Sequence, residues 1–329
     1  MKDWIALSDL SQPPEGEARP LRRALFICEV SLPLASTAVV LDWQPQWDEA
    51  RTFSVFLDGK TGIVVLQRTG NAVRRHVLPG PLPMGQGTAR ITYGWNQLAD
   101  RWVLTFSLLG QGEELRAQGV NPIMLREEDL SDMCRPDGAG SRHPSLLWFG
   151  VTQGNEPPAR APWVGLRTPI ETARGPVSAG NLRPGDMVMT EDNGLQPVLN
   201  LHRLRLPSRG SFAPVILRAP FLGQRSDVLI SADQLVLMDG PEVEYMFGEE
   251  EVLIHAANLT DGTIARVDGY RAATDCVAID LGMPELLLAD GLRILSHGPV
   301  AEAPRSVLHP FEAQQLVSLI GRRTRHGAA

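Results

Sequence analysis

The sequence predicts a mainly β protein: a jelly-roll-like β-sandwich in the N-terminal half, a second all-β domain in the C-terminal half, and a short C-terminal helix. Three observations lead to this prediction. Strand-length apolar runs recur about every ten residues between residues 25 and 106, a spacing typical of sandwiches and barrels. Residues 175–198 contain a turn, a strand and a second turn in succession. Helical periodicity is clearest at residues 309–320.

The chain begins with a polar stretch, residues 1–20, which is predicted as an extended arm or a first edge strand. Seven strands are then predicted, at residues 25–30, 38–41, 53–57, 63–66, 73–78, 90–93 and 102–106. The dipeptides Asp58-Gly59 and Gly70-Asn71 mark hairpin turns between them. Apolar residues alternate in the third and fourth runs, which indicates strands with one buried face.

The strand rhythm fades between residues 110 and 162. Residues 113–116 and 126–133 are predicted as short polar helices, and residues 145–150 as the last strand of the first domain. The sequence Glu-Pro-Pro-Ala-Arg-Ala-Pro that ends at Pro162 indicates a linker. The predicted organisation is a sandwich at 1–150, a linker at 151–162, a second β domain at 163–300, and a helix with a basic tail at 301–329.

The second domain is organised around the tight turn Arg183-Pro184-Gly185-Asp186, because Pro fixes φ at one central position and Gly supplies a positive φ at the next. A short strand follows at 187–190, and Asp192-Asn193-Gly194 turns the chain again. This arrangement resembles the Hint (Hedgehog/intein) domains of bacterial proteins, especially those of alphaproteobacteria. The resemblance covers residues 163–298 and continues in order through residues 212–219, 229–231, 246–253 and 285–291. It implies an all-β Hint fold.

The resemblance also identifies the positions of the Hint reaction. An active Hint domain needs a Cys or Ser at its first position to attack the preceding carbonyl, and Trp163 occupies that position. An indole has no heteroatom that forms an ester or thioester. The family's block histidine corresponds to Gln234, which does not transfer protons near neutral pH. A later polar position corresponds to Ala278. The resemblance therefore implies a degenerate Hint fold that is not an enzyme.

Residues 88–96 and 102–106, with the polar bend between them, resemble the central strands of laminin-G-like, concanavalin-like jelly rolls. That family commonly binds glycans on one sandwich face or rim, sometimes through calcium. A bend between two strands presents polar and aromatic groups on a rigid frame. The candidate ligand-binding residues at this bend are Trp95, Asn96, Asp100 and Arg101. The alternative role of Trp95, like that of Trp102, is to fill the sandwich core.

The composition is that of a globular protein, with 43% hydrophobic and 21% charged residues. The net charge of -7 provides no general attraction to nucleic acid or to anionic membranes, so neither is an expected partner. No apolar run reaches the length of a membrane span or of a signal-peptide core. The expected location is the cytoplasm, or release without a Sec signal, for example in association with a particle.

Three cysteines, Cys28, Cys134 and Cys276, are odd in number and far apart. They predict neither a disulfide framework nor a CxxC site, and they suit a reducing compartment. The seven histidines show no spacing that places two ligands on one metal. We therefore expect no metal site and no cofactor, while calcium binding by the sandwich is left open.

Two functions are compatible with these features. The first is a non-catalytic binding or structural protein, whose sandwich binds a glycan or a protein surface while the Hint-like domain serves as a scaffold or as an interface in a larger assembly. The second is residual autoprocessing, in which the chain cleaves itself near residue 163. The sequence favours the first function, because two groups essential to the Hint reaction are absent.

Overall fold

The computed structural model describes residues 4–9, 19–34, 36–45, 50–135, 138, 140–154, 161–298 and 303–326, with side chains up to residue 320. The chain divides into two units. The first contains Met1–Pro158 and Arg209–Ser211, and the second contains Ala159–Ser208 and Phe212–Ala329. Both units are mainly β, which confirms the predicted fold class.

The first unit has eleven strands and one helix among its described residues. They are β1 (Trp4–Leu7), β2 (Arg23–Leu32), β3 (Ala38–Trp43), β4 (Arg51–Asp58), β5 (Gly62–Thr69), β6 (Ala72–Pro79), β7 (Gly87–Asn96), β8 (Arg101–Leu108), β9 (Glu114–Gly119), α1 (Glu127–Cys134), β10 (Gly140–Arg142) and β11 (Leu146–Thr152). The strands form two antiparallel sheets, in the orders β1-β11-β2-β7-β8-β9 and β10-β3-β4-β5-β6. These two sheets form the predicted sandwich.

The core of the first unit combines buried residues from both sheets. Phe26 of β2 and Phe53 of β4 meet edge to face, with their ring centroids 5.5 Å apart. Phe149 of β11 stacks on Phe26 at 6.0 Å. Along β4, Val55 and Leu57 are buried together with Phe53, as the alternation in the sequence predicts. The Phe26–Phe53 contact therefore joins the two sheets, while the Phe26–Phe149 contact lies within one of them.

All seven predicted strands of this unit are present, but the prediction for residues 113–116 is wrong. Most of this segment belongs to the edge strand β9, which pairs with β8 from Glu114 opposite Ser107 to Gly119 opposite Trp102. The segment is polar and resembles a helix locally, yet the ladder of β8 supplies its hydrogen bonds. The last strand, β11, also runs two residues past the predicted domain end, because Val151 and Thr152 pair with β2.

The second unit contains shorter elements. They are β12 (Val164–Gly165), β13 (Pro169–Thr172), β14 (Gly175–Ser178), β15 (Met187–Thr190), β16 (Gly194–Pro197), β17 (Asn200–Pro207), β18 (Val215–Leu217), β19 (Val228–Ile230), β20 (Leu235–Asp239), α2 (Pro241–Phe247), β21 (Glu251–His255), β22 (Ala265–Val267), β23 (Ala273–Asp280), β24 (Leu286–Ala289), β25 (Leu292–Leu295) and α3 (Pro310–His326). One sheet has the order β17-β23-β12-β19-β18-β22, and the other contains β14-β13-β15-β24-β25-β20-β21, with β16 beside β15.

The turn that organises the second unit forms as the sequence predicts. Gly185 has φ +91°, a conformation that favours glycine. The Asp186 carboxylate accepts a hydrogen bond from the Arg183 amide at 2.8 Å, and the Asp186 amide donates to the Arg183 carbonyl at 3.1 Å. The chain leaves this turn directly into β15, at the predicted residues 187–190.

Helix α3 extends the predicted C-terminal helix by six residues, into the segment expected to be a basic tail. Residues 327–329 lie outside the described residues. Ala313, Leu316 and Val317 pack into the core of the unit. Phe311, in the first turn of the helix, is 69% exposed. Among the described residues, no helix combines the length and apolar character needed to cross a bilayer.

We predict that Phe53→Ala lowers the free energy of unfolding of the first unit by about 3–5 kcal/mol, because it removes a buried ring and leaves a cavity between the sheets. Urea unfolding followed by fluorescence measures the change. Val73→Ala is the control, since Val73 of β6 is 61% exposed, and its effect is expected within about 0.5 kcal/mol. A loss below about 1 kcal/mol for Phe53→Ala would contradict the assigned core.

Candidate functional site

The position assigned to the Hint nucleophile lies at the start of β12, where the backbone of Trp163 is paired with Ser231. The Ser231 amide donates to the Trp163 carbonyl at 3.0 Å, and the Trp163 amide donates to Ser231 Oγ at 3.3 Å. The Trp163 side chain is only 3% exposed. A buried indole therefore lies at the position assigned from the sequence to the nucleophile.

The sheet register brings Ala278 beside Trp163. Strand β12 lies between β19 and β23, with Val164 opposite both Ile230 and Val277. One residue further along this register, Trp163 lies between Ser231 and Ala278. Residues directly opposite each other in a sheet share a face, so these positions form one row. Ala278 is fully buried and has no polar side-chain atom to offer.

Gln234 lies one turn beyond Ser231, and both its main-chain N–H and its side-chain amide donate to backbone carbonyls. The main-chain N–H of Gln234 donates to the Ser231 carbonyl at 3.1 Å. Its side-chain Nε2 donates to the Leu295 carbonyl at 2.7 Å and to the Leu235 carbonyl at 3.3 Å. The side chain is 1% exposed. Gln234 therefore connects the start of β20 to the end of β25.

Sequence reasoning missed two histidines that lie beside this row. His202 of β17 is opposite Ala278, and its ring meets that of His297 edge to face, with the centroids 5.4 Å apart. Burial lowers the pKa of His297, the charge of His202 lowers it further, and Asp280 acts in the opposite direction. The two histidines are far apart in the sequence, so no local signal could have identified the pair.

Cys276 also lies near this row, on β23, where it is opposite Gly165 of β12. Its Sγ donates to the Leu204 carbonyl at 3.7 Å, and the residue is fully buried. Burial raises the pKa of the thiol, and the charge of Asp275 raises it further, so the thiol remains protonated at neutral pH. In the described part of the chain, no group of three or more His, Cys, Asp or Glu side chains is placed to hold a metal.

The structure corrects the assignment of Trp95 as a ligand-binding residue. Trp95 is 2% exposed and packs in the sandwich core, and its indole N–H donates to the Leu21 carbonyl at 2.6 Å. A ring in this position has no free face for a sugar. Trp95 therefore has the alternative role, that of a core residue of the sandwich.

The other three candidates at the bend lie at the surface. Asn96 Oδ1 accepts a hydrogen bond from the Ala99 amide at 3.2 Å, which stabilises the turn. Asp100 has φ +47° and accepts a hydrogen bond from the Asn121 amide at 3.0 Å. Arg101 is exposed at the start of β8, and Leu98, at the tip of the bend, is 81% exposed. Asn96 and Asp100 therefore shape the bend, while Leu98 and Arg101 are presented by it.

Residues 120–126, which we call the strap, cross one end of the sandwich between β9 and α1. Six side chains bind the strap backbone at distances from 2.8 to 3.1 Å. These side chains are Gln67, Arg74, His76, Tyr93, Asp100 and Trp102. They come from both sheets, so the strap joins the two sheets at this end.

His76 lies buried beneath the strap. Its Nε2 is 3.1 Å from the Asn121 carbonyl, which only accepts hydrogen bonds, so Nε2 carries a proton. Nδ1 is 3.0 Å from the Tyr93 hydroxyl, and the ring stacks on Trp102 with the centroids 4.4 Å apart. Burial lowers the pKa of His76, the Asn121 carbonyl raises it, and the charge of Arg74 lowers it; the net shift is downward.

Comparison with protein families agrees with the fold of the second unit. Residues 166–300 match the family model described as the Hint domain, so this part of the chain is a Hint domain. The matched segment begins after Trp163 and β12. Comparison with curated proteins returns no match.

Solved structures resemble the chain at low identity. CBM40 of the Ruminococcus gnavus IT-sialidase, bound to alpha2,3 sialyllactose, is 10% identical with a TM-score of 0.32, over 47% of this chain and 94% of that chain. The LG1-3 region of the laminin alpha2 chain is 10% identical with a TM-score of 0.31, over 89% of this chain and 62% of that one. These scores are too low to support an inference about ligands.

We predict that acidification destabilises the first unit through His76. The pKa of His76 is lower in the folded protein than its ordinary value of 6.5, so the unfolded chain takes up a proton first as the pH falls. The free energy of unfolding should therefore decrease below about pH 6.5 and level off below the folded-state pKa. From pH 7.5 to 5.5, wild type should therefore lose more of its free energy of unfolding than His76→Gln does.

Urea unfolding followed by tryptophan fluorescence tests this prediction, since Trp163 is the one tryptophan of seven outside the first unit. His297→Gln is the matched control, because it removes a histidine of lowered pKa from the second unit and should leave the fluorescence pH slope unchanged. Equal slopes for wild type and His76→Gln would refute the role of His76.

Proposed function

We propose that this chain is a non-catalytic, two-domain binding or structural protein. Its Hint domain serves as a scaffold, and its sandwich recognises a glycan or a protein surface. The observation that carries the first part is the buried Trp163 in the nucleophile position, with its amide and carbonyl both bonded to Ser231. An acyl shift needs an oxygen or sulfur atom at that position, and an indole supplies neither.

The groups around Trp163 support the same proposal. The Gln234 side chain donates to two backbone carbonyls, Leu235 and Leu295, which hold it against β25. It carries no proton that it could deliver to a leaving amide near neutral pH. Cys276 is a protonated, buried thiol on β23, opposite Gly165, and its hydrogen bond goes to Leu204. The hydrophobic core, by contrast, is continuous across both sheets of the unit, as a scaffold requires.

We predict that the purified full-length chain remains at 36.0 kDa after incubation with excess thiol or hydroxylamine, because no thioester or ester forms at Trp163. Gel mobility and intact mass measure the outcome. A Cys276→Ala variant is the matched control and should behave identically. A new N-terminus at residue 163, with two fragments of about half the mass, would establish the alternative function, self-cleavage.

The proposal for the sandwich rests on the bend between β7 and β8. Leu98 and Arg101 are exposed there, on a turn stabilised by Asn96 and Asp100. Asp100 also anchors the strap through the Asn121 amide. A guanidinium and an apolar side chain on a rigid turn offer the polar and apolar contacts that a glycan or protein surface requires.

We predict that Arg101→Ala weakens capture of glycan or protein partners by the full-length chain, measured with a glycan array and a pull-down. Arg266→Ala, which removes an exposed arginine from β22 of the Hint domain, is the matched control and should leave capture unchanged. Asn96→Ala and Asp100→Ala should weaken capture too, and each should also cost about 0.5–1.5 kcal/mol of stability by removing a hydrogen bond to the backbone. Loss of capture by Arg266→Ala alone would move recognition to the Hint domain.

A further inference from the structure

The strap borders a cavity of about 650 Å³ that is lined by three arginines, Arg51, Arg74 and Arg126. No Asp or Glu is among the described residues that line it. This composition contrasts with the net charge of -7 for the whole chain. A cavity with several cationic side chains and no lining carboxylate favours an anionic ligand.

Arg51 forms part of the fixed wall of the cavity. Its guanidinium is buried and pairs with the Asp129 carboxylate through Nη2, while Nη1 is 3.3 Å from Glu128. Arg126 is also paired with Glu128, at 3.0 Å, but its side chain is 48% exposed. Three arginines against these two carboxylates give a net charge of one positive unit at the cavity. Since Arg51 and Arg126 are paired, we assign this charge to Arg74.

Arg74 is exposed on β6 and has no carboxylate partner among the described residues. Among the described residues, the one hydrogen bond of its side chain runs from Nη1 to the Pro122 carbonyl of the strap, at 3.1 Å. A guanidinium has five N–H donors in a planar fork that matches an oxyanion. The bond to the strap orients Arg74 and leaves most of its donors for a ligand.

The rest of the lining suits a sugar ring. Thr69 is an exposed hydroxyl at the end of β5, and Gln67 donates through Nε2 to the Met124 carbonyl, so its Oε1 is available to accept. Met124 and Leu125 add apolar surface. The volume lies in the range of small-molecule sites, about 300–1,000 Å³.

We infer that this cavity binds an acidic saccharide, with its carboxylate or sulfate on Arg74 and Arg126 and its hydroxyl groups on Thr69 and Gln67. The inference rests on the proposed function, in which the sandwich is the domain that recognises a partner. It specifies the ligand as anionic, and it places that ligand beneath the strap.

Isothermal titration calorimetry of the full-length protein tests the inference, with glucuronic acid, a glucuronate-containing disaccharide and glucose 6-sulfate as probes. Glucose and inorganic sulfate are the comparison ligands. Arg74→Gln removes the unpaired charge and should weaken binding of the acidic probes at least about tenfold. Arg74→Lys keeps the charge without the fork and should bind with intermediate affinity.

Arg75→Gln is the matched control. Arg75 neighbours Arg74 on β6 but pairs with Leu66, whereas Arg74 pairs with Gln67, so the two arginines lie on opposite faces of the sheet. This control should bind as wild type does. Near-ultraviolet circular dichroism verifies that each variant is folded. If Arg74→Gln does not fold, the affinity of Arg74→Lys decides the outcome.

The possible results separate this inference from the proposed function. Absence of binding by every acidic probe, or binding that Arg74→Gln and Arg75→Gln weaken equally, overturns the acidic-saccharide site. Equal affinity for inorganic sulfate and the acidic sugars also overturns it, because the cavity would then hold an anion alone. If capture of a neutral glycan or a protein is lost in Arg101→Ala but not in Arg74→Gln, the proposed function stands and this inference falls.

Discussion

The strap that closes one end of the sandwich depends on side chains to satisfy its backbone. It belongs to neither sheet, and its backbone pairing with other segments is limited to its end, where Arg126 forms a β-bridge with Pro20 and the Leu125 carbonyl accepts from the Leu21 amide. Side chains supply the other partners, because unpaired buried backbone groups are costly. The six side chains that bind it come from β5 and β6 on one sheet and from β7, β8 and the bend between them on the other. The conformation of the bend, the environment of His76 and the cavity beside Arg74 all depend on these hydrogen bonds.

The need to pair buried polar groups also shapes the corner of the Hint domain around Trp163. Ser231 is bonded to Trp163 through both its backbone and its hydroxyl, and Gln234 is bonded to the end of β25. Under the proposed assignment, the Hint reaction would need a group free to attack a carbonyl at Trp163 and a group able to protonate an amide at Gln234. In this chain the hydrogen bonds hold strands together, which is the physical basis for proposing a scaffold.

Local sequence predicted the strands well where the apolar alternation was strong, as in β4 and β5, and less well where pairing decided the outcome. Residues 114–119 alternate exposed polar residues with Leu115 and Ala117, and they form an edge strand because β8 offers them a complete ladder. Phe311 fits a helical apolar stripe but faces solvent, while Ala313 and Leu316 reach the core. A pattern identifies which residues are apolar, but the neighbouring elements decide which of them are covered.

The sequence by itself determined the turn at Gly185 and the chemical identity of Trp163, Gln234 and Ala278, because turn geometry and side-chain chemistry are properties of single residues and their immediate neighbours. Only the tertiary structure decided what surrounds them. Strand register placed Trp163 between Ser231 and Ala278, brought His202 to His297, and set Arg74 beneath the strap. These contacts join residues far apart in the chain, and the alternation that marks a strand does not specify which strand will be its neighbour.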